Sequence, residues 1–243
     1  MTPTLILIPG LMCDATVWTP LLPALEAVAR CETTDPGDAD SITAMARRVL
    51  DTAPAQFAVA GHSMGGRVAL EVLRLAPGRV TRLALLDTGY KARAEGAAGE
   101  EEARKRQALL DIARNQGVRA MASAWVQGML DPARLSDTAL VEAIVAMFER
   151  KSADIFARQI RALLGRPDAT PVLRGVRVPT LVACGAADSW SPLSQHQEIA
   201  ALLPGGAPVQ VIAHAGHMST MEQPDAVARV LLTWLDHPAS ASA

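Results

Sequence analysis

Short apolar runs alternate with amphipathic stretches along the first 88 residues of the chain. Residues 5–8 are apolar at every position and stop at Pro9-Gly10, and an apolar run without alternation is typical of a strand buried on both faces. Ser41 is a suitable N-cap for one amphipathic stretch, and Pro77-Gly78 ends another. The pattern predicts strands over 5–8, 29–33, 56–60 and 80–86, and helices over 17–28, 41–52 and 65–75. This alternation predicts a parallel sheet with right-handed crossovers.

The pattern changes between residues 89 and 171, where no convincing strand is found. Charged residues of both signs crowd residues 91–106, which we interpret as the solvated face of a helix. Three apolar stripes with helical spacing follow. The first contains Val118, Met121, Trp125 and Met129, the second Leu140, Ile144, Met147 and Phe148, and the third Ile155, Phe156, Ile160 and Leu163. The segment is predicted to be an all-helical insertion.

The strand–helix alternation resumes in the last third of the chain. Strands are predicted over 180–184 and 209–213, and helices over 192–203 and 224–235, the latter with Pro224 as its first residue. The tail, residues 237–243, is expected to be frayed. We therefore expect an α/β core formed by residues 1–88 and 172–243, whose doubly wound and mostly parallel sheet is interrupted by the helical insertion over 89–171.

Composition and charge exclude several classes of protein. Half of the 243 residues are hydrophobic and the formal net charge is −2, so no basic surface for nucleic acid or an anionic membrane is expected. No apolar run approaches the roughly 18 residues of a membrane span, and the first nine residues contain no basic residue, so neither a membrane span nor a signal peptide is expected. Cys13, Cys31 and Cys184 show neither metal-site nor disulfide spacing. We expect a cytoplasmic protein without metal ion or cofactor, and the oligomeric state stays open.

The strongest local motif is Gly61-His62-Ser63-Met64-Gly65-Gly66, which lies between a predicted strand and a predicted helix. A serine on a sharp strand-to-helix turn has its hydroxyl exposed, and the residues two before and two after it must be small because other backbone passes nearby. The same helix directs its positive end toward a developing oxyanion. Ser63 is therefore the candidate nucleophile of a strained turn of this type.

A nucleophilic serine needs a base, and His217 is the best candidate. It follows the last predicted strand and a glycine, and functional groups gather at the carboxyl ends of strands in an open sheet. His214 lies nearer the strand and is expected to be structural, and His62 is expected to point away from Ser63 as a packing or surface residue. Asp188 is the favoured acid to orient the histidine, but Asp87 also ends a strand and remains an alternative.

The oxyanion of an acyl-transfer reaction needs two hydrogen-bond donors. One is expected to be the amide of Met64, directly after the candidate nucleophile, and the other the amide of Leu11 in the loop after the first strand. Such donors contribute about 3 kcal/mol each to transition-state stabilisation. Cys13 lies in the same loop without a basic neighbour in the sequence, and we interpret it as a small apolar filler.

With these motifs the chain resembles the α/β-hydrolase superfamily from Leu5 to Leu235. The order Ser63, Asp188, His217 matches the order of nucleophile, acid and histidine in that family, and the helical segment lies where the family inserts its cap. The oxyanion loop departs from the family, because Pro9-Gly10 stands where His-Gly is common. The first strand also begins almost at Met1, so the antiparallel hairpin that often begins the fold is expected to be missing.

The resemblance implies a hydrolase acting on a small-molecule substrate, with small esterases, enol-lactonases and acyl-carrier methyl esterases as similar proteins. We expect cleavage of a carboxylic ester, lactone or thioester through an acyl-enzyme. A carbon–carbon bond hydrolase of vinylogous diketones and a non-catalytic small-molecule receptor are the alternatives. The candidate substrate contacts in the cap are Trp125, Met129, Met147 and Phe148. Arg158 and Arg161 could meet a substrate carboxylate, although arginines on helices are more often solvated.

Overall fold

A computed structural model describes residues 2–236 and contains, within them, one sheet of six parallel strands. Their order across the sheet is β2-β1-β3-β4-β5-β6. The strands are β1 Thr4–Ile8, β2 Arg30–Thr33, β3 Phe57–His62, β4 Val80–Leu86, β5 Thr180–Gly185 and β6 Val209–Ile212. Each predicted strand is present within one or two residues of its expected ends, and the parallel sheet is confirmed.

Helices connect the strands and cover the sheet. They are α1 Leu22–Leu25, α2 Ile42–Thr52, α3 Met64–Leu75, α4 Gly96–Gln116, α5 Val118–Trp125, α6 Thr138–Glu149, α7 Ala153–Leu164, α8 Thr170–Arg174, α9 Leu193–Leu202, α10 Ser219–Glu222 and α11 Pro224–Asp236. The cap of α2 is as expected, because the Ser41 hydroxyl accepts the amide N–H of Ala44 at 3.2 Å. None of the described helices is long and apolar enough to cross a membrane.

The prediction of one continuous helix over 17–28 is wrong. Two 3-10 turns, Ala15–Val17 and Thr19–Leu21, precede α1, which spans only four residues. Pro20 and Pro23 lie at the starts of the second turn and of α1. Because proline has no amide N–H, neither residue can donate to the helical hydrogen-bond ladder, and the segment breaks at each.

The central strand β3 is more buried than the two strands at the edges of the sheet. Every residue of β3 is buried, as expected for a strand covered on both faces, whereas β2 and β6 at the edges are largely half-exposed. The register sets His62 opposite Leu86 and Leu86 opposite Ala183. The residues that follow these strands, Ser63 and Asp87 among them, therefore lie together at the carboxyl edge of the sheet.

Helices α4 to α7 occupy the segment between β4 and β5, in which no strand is present among the described residues. Their apolar stripes are buried for the most part, with Met121, Ile144, Phe148 and Phe156 at most 1% exposed. The short helix α8, which follows them, packs against α3 and α9 of the sheet layer. The tail that we expected to be frayed, residues 237–243, lies outside the described residues.

Candidate active site

Ser63 lies on a tight turn between β3 and α3 with a backbone φ of 55° and ψ of −119°. A positive φ is strained for any residue with a β-carbon. The glycine two positions later is required by a close approach, because a β-carbon on Gly65 would lie 2.1 Å from the carbonyl oxygen of Ile8. The turn therefore has the geometry that the motif predicts, and Ser63 on it borders a cavity.

Ser63, His217 and Asp188 form one continuous chain of hydrogen bonds. The Ser63 Oγ and His217 Nε2 atoms are 2.8 Å apart, and His217 Nδ1 lies 2.9 Å from Asp188 Oδ2. The other carboxylate oxygen, Asp188 Oδ1, accepts the amide N–H groups of Trp190 and Ser191, each at 2.9 Å. With Nδ1–H donating to Asp188, His217 Nε2 is free to accept the serine proton.

The electrostatics of the pair favour a carboxylate beside an imidazole that holds its proton more tightly than usual. Burial alone would raise the pKa of Asp188, but the attraction and hydrogen bond of His217 outweigh it, and the pKa is lowered. Burial would likewise lower the pKa of His217, but the charge and hydrogen bond of Asp188 raise it above the ordinary value. Both shifts have the same physical origin, a close buried pair of opposite charge.

Asp87, the alternative acid, has different partners. Its Oδ1 accepts the amide N–H of Gly185 at 2.8 Å, and its Oδ2 accepts the hydroxyl of Ser219. The carboxyl is fully buried, and burial, together with the nearby charge of Asp188, raises its pKa well above the ordinary value. Asp87 thus joins the ends of β4 and β5 to α10, and its hydrogen bonds do not go to His217.

The other two histidines considered from the sequence stand apart from this chain of hydrogen bonds. His62 is 1% exposed, and its Nε2 lies 2.8 Å from the carbonyl oxygen of His217, to which it donates. Its pKa is lowered to about 4, first by burial and then by repulsion from His217. His62 is therefore a neutral packing residue that supports the His217 backbone, whereas His214 is exposed.

The amides expected to form an oxyanion hole border the same cavity as Ser63. Leu11 and Met64 both line it, and no acceptor among the described residues is assigned to either amide N–H. The next residue, Met12, has a φ of 62°, and its own N–H donates to Oε1 of the buried Gln159 at 2.9 Å. A side chain from α7 therefore holds the loop after β1.

Cys13, in the same loop, is buried. Burial, followed by repulsion from Asp14, raises the pKa of the Cys13 thiol to about 12. The thiol is therefore protonated at neutral pH, which argues against a nucleophilic role. Within residues 2–236, no group of three or more His, Cys, Asp or Glu side chains is arranged to hold a metal ion.

A cavity of about 530 Å³ opens over Ser63 and His217. Of the four side chains expected to contact substrate, Trp125, Met129 and Phe148 line it, whereas Met147 is fully buried and does not. The expectation for Met147 is therefore wrong, because the residue belongs to the packed interior of the insertion. Trp190 also lines the cavity and stacks on Trp125 with ring centroids 5.4 Å apart.

The charged residues of the insertion are only partly solvated. Glu102 and Arg106 border the cavity, so the interpretation of 91–106 as a solvated face is wrong for this part of α4. Arg158 and Arg161 instead pair with Asp38 and Asp40 at 3.7 and 2.9 Å on the exposed surface. A helical pattern from the sequence does not show which neighbours a charged face meets, and this explains the error.

Glu222 is a buried residue of the site that the sequence analysis did not single out. Its Oε1 accepts the amides of Gly216 and Met218, at 2.8 and 3.2 Å, on either side of His217. Its Oε2 accepts the amide of Asp131, in the insertion, at 2.8 Å. Glu222 therefore holds the histidine loop in place. Glu222 lies five residues after His217, and no local motif in the sequence marks it as a partner of the histidine loop.

Known proteins resemble this chain over nearly its whole length. A pimeloyl-[acyl-carrier protein] methyl ester esterase of Photobacterium profundum is 29% identical over 239 residues, which cover 93% of this chain and 92% of that protein. A thermophilic esterase from Thermogutta terrifontis superposes with a TM-score of 0.81 at 25% identity, over 96% of this chain and 90% of the other. The enol-lactonase from Burkholderia xenovorans LB400 shares the fold, with a TM-score of 0.82, 22% identity and coverage of 97% and 92%.

The family itself is shown by a match that extends over nearly the whole chain. Residues 5–230 match the alpha/beta hydrolase family, and this span contains nearly all of the sheet and the hydrogen-bonded Ser63, His217 and Asp188. The resemblance based on the sequence motifs is confirmed, as is the fold class. This protein is a hydrolase that belongs to the alpha/beta hydrolase family.

Proposed function

We propose that this protein is a serine hydrolase of small carboxylic esters, lactones or thioesters, with Ser63 as nucleophile, His217 as base and Asp188 as the orienting acid. The observation that carries the proposal is the hydrogen-bond chain from Ser63 Oγ through His217 to Asp188, at 2.8 and 2.9 Å. The esterase names of two similar proteins, from Photobacterium profundum and Thermogutta terrifontis, support an ester as the cleaved bond.

The first half of the reaction forms an acyl-enzyme. Ser63 Oγ attacks the carbonyl carbon of the ester while its proton passes to His217 Nε2. The negative charge that develops on the carbonyl oxygen is stabilised by the amide N–H groups of Leu11 and Met64. His217 then returns the proton to the departing alkoxide oxygen, which leaves as an alcohol while the acyl group stays on Ser63.

The second half releases the acid and restores the enzyme. A water molecule gives a proton to His217 Nε2 and attacks the acyl carbon, and the same two amides stabilise the oxyanion. The bond to Ser63 Oγ breaks, and His217 returns the proton to the serine. Throughout, Asp188 accepts the Nδ1–H of His217 and stabilises the imidazolium, without itself taking a proton.

We assign the helical segment 89–171 the role of a cap that selects substrates. Trp125, Met129 and Phe148 of this segment line the cavity over Ser63. The carbonyl oxygen of Met129 also accepts the amide N–H of His217 at 2.6 Å. A segment that supplies both the wall of the cavity and a contact to the histidine loop is suited to control access and chain length.

Substitution of the nucleophile tests the proposal. Ser63→Ala should lower the hydrolysis of p-nitrophenyl butyrate by about 10⁴ to 10⁶ in kcat, the range found when a member of such a triad is removed. Ser136→Ala is the matched control, because Ser136 is exposed and outside the cavity. A fluorophosphonate should label the wild type and the control on Ser63, as read by mass spectrometry of the digested protein, and should leave Ser63→Ala unlabelled.

Three results would contradict this function. A folded, pure Ser63→Ala protein that retains more than a tenth of the wild-type activity would remove Ser63 from the chemistry. Turnover of a vinylogous diketone without turnover of any ester would indicate a carbon–carbon bond hydrolase. Stoichiometric ligand binding without turnover or labelling would indicate a receptor.

A further inference from the structure

Three arginines border the active-site cavity in addition to its aromatic wall. Arg67 lies on α3, Arg106 on α4, and Arg166 just after α7. Arg67 is four residues beyond Ser63 along the chain, a helical rise of about 6 Å. We call Arg67, Arg106 and Arg166 the arginine cluster. A substrate attacked by Ser63 therefore occupies a cavity that three positively charged side chains also border.

The members of the arginine cluster converge on shared acceptors. Arg67 Nη1 and Arg166 Nε both donate to the carbonyl oxygen of Lys91, at 2.9 and 3.1 Å. Arg166 also donates to both carboxylate oxygens of Glu102, at 2.7 and 2.8 Å, while Arg106 donates to Glu102 Oε1 at 2.9 and 3.0 Å. Arg106 and Arg166 thus share the Glu102 carboxylate, and Arg67 is connected to Arg166 through the carbonyl oxygen of Lys91.

The charges of this cluster do not balance. Arg106 and Arg166 share the one negative charge of Glu102, and no carboxylate of the described residues lies within salt-bridge distance of Arg67. Lys105 and Glu101 also border the cavity and lie 3.5 Å apart, and Glu101 pairs with Arg104 as well, so Glu101 does not compensate the arginine cluster. Burial and then repulsion from Arg166 lower the pKa of Arg67 to about 9, so the group still carries its charge at neutral pH. The excess is two positive charges.

An excess of positive charge beside a reaction site is costly unless an anion compensates it. A cation that is removed from water without a partner is destabilised, and breaking or omitting one partner of a buried pair leaves that cost in place. A carboxylate is the anion that suits a guanidinium group best, because the two planar groups form paired hydrogen bonds. A substrate that brings its own carboxylate would satisfy the arginine cluster when it binds.

We propose that the arginine cluster binds a carboxylate of the substrate, and that the preferred substrates are esters with an ionised carboxylate several bonds from the scissile carbonyl, such as monoesters of dicarboxylic acids. The proposal rests on the ester hydrolysis proposed above and narrows its substrate class. It gives Arg67 a binding role that the geometry of the catalytic residues alone does not require.

The test compares two methyl esters of nearly equal size. Monomethyl adipate has an ionised carboxylate at pH 7.5, and the methyl ester of adipic acid monoamide has a neutral carboxamide in its place. Wild-type enzyme should show a kcat/KM for the charged ester at least about tenfold above that for the neutral one, as expected for hydrogen bonds to a charged group. The ratio should decrease as sodium chloride is raised, because part of the attraction is screened. A ratio of one or below would overturn the proposal.

Variants that remove either a positive or a negative charge beside the cavity should change the ratio in opposite directions. Arg67→Gln should lower the ratio of the two kcat/KM values about tenfold, and Glu102→Gln, which removes the single carboxylate of the cluster, should raise it. Arg114→Gln, at an exposed position of α4 outside the cavity, is the matched control and should leave the ratio unchanged. Equal ratios in all four proteins would show that the arginine cluster does not recognise the substrate.

Binding to the Ser63→Ala protein separates this proposal from the proposed hydrolysis. Calorimetric titration should show tighter binding of monomethyl adipate than of the neutral amide analogue. If neither ester is hydrolysed by the wild type but this preference is present, the anion site stands and the proposed reaction fails. If both esters are hydrolysed at equal rates and bind equally, the reaction stands and the anion site fails.

Discussion

His217 is held between a hydroxyl group and a carboxylate, and its basicity depends on the second of these contacts. The raised pKa of His217 is due to Asp188, which overcomes the opposite effect of burial. Because the imidazole must be neutral to accept the serine proton, activity should rise with pH through an ionisation above the ordinary value of about 6.5. We predict that kcat/KM of the wild-type protein rises with pH through this ionisation.

Asp188→Asn should change both the rate and the pH range over which kcat/KM rises. The rate should fall by about 10⁴, because an asparagine no longer selects the tautomer with the proton on Nδ1. The residual activity should titrate at lower pH than in the wild type, since the negative charge that raises the pKa of His217 is gone. The measurement is kcat/KM of both proteins from pH 5 to 9. If kcat/KM of the variant rose over the same pH range as that of the wild type, another group would set the basicity of His217.

At the scale of elements, the helices between β4 and β5 meet the site through specific contacts. Trp125, at the end of α5, packs against Phe148 of α6 and Phe156 of α7 with ring centroids 5.5 Å apart in both cases. It also stacks on Trp190, which follows β5. A single side chain therefore joins three helices of the insertion to the sheet layer and faces the cavity at the same time.

Trp125→Ala should alter the choice of substrate more than the chemistry. Removal of the indole enlarges the cavity, so the preferred acyl-chain length should increase while the rate on an acetyl ester changes less. Met147→Ala is the control, because Met147 is buried in the same segment but does not line the cavity. This control should lose about 2 to 5 kcal/mol of stability without a new chain-length profile. An equal loss of rate at every chain length in Trp125→Ala would make it a packing residue only.

The elements themselves were largely predictable because their signals are local. The run at residues 5–8, the Ser41 cap and the glycines around Ser63 each act within a few residues, and the structure has β1, α2 and the strained turn at these places. The prediction of a continuous helix over 17–28 was wrong, because Pro20 and Pro23 interrupt this apolar segment. The distant contacts of Gln159 and Glu222 had no such local signal.

At the scale of the whole molecule, the fold brings together residues that the sequence separates widely. The strand order reverses at β1, with β2 on one side and β3 on the other, and loops after such a switch point form a crevice at the carboxyl edge. The order of Ser63, Asp188 and His217 could be predicted by resemblance to a family. The arginine cluster could not, because Arg67, Arg106 and Arg166 come from three helical regions whose mutual packing no periodicity specifies.

The two aspartates at the ends of β4 and β5 should affect different properties of the molecule. Burial raises the pKa of the Asp87 carboxyl in the folded protein. The stability that the protonated carboxyl contributes is therefore fully present below the unfolded pKa near 3.8, and it is lost as pH rises through the folded pKa. An asparagine in place of Asp87 would mimic the protonated form. Its amide can accept the N–H of Gly185, donate to Ser219 and tolerate the φ of 49°.

Asp87→Asn should therefore remove a pH-dependent loss of stability while sparing catalysis. In urea unfolding from about pH 5 to 8, the free energy of unfolding of the wild type should fall relative to that of the variant as pH rises. The variant should keep more than a tenth of the wild-type kcat/KM, in contrast to Asp188→Asn, because the hydrogen bond to His217 Nδ1 comes from Asp188. A loss as large as that of Asp188→Asn in a folded protein would instead make Asp87 part of the catalytic chain, since no structural role acting only on stability would remove the reaction.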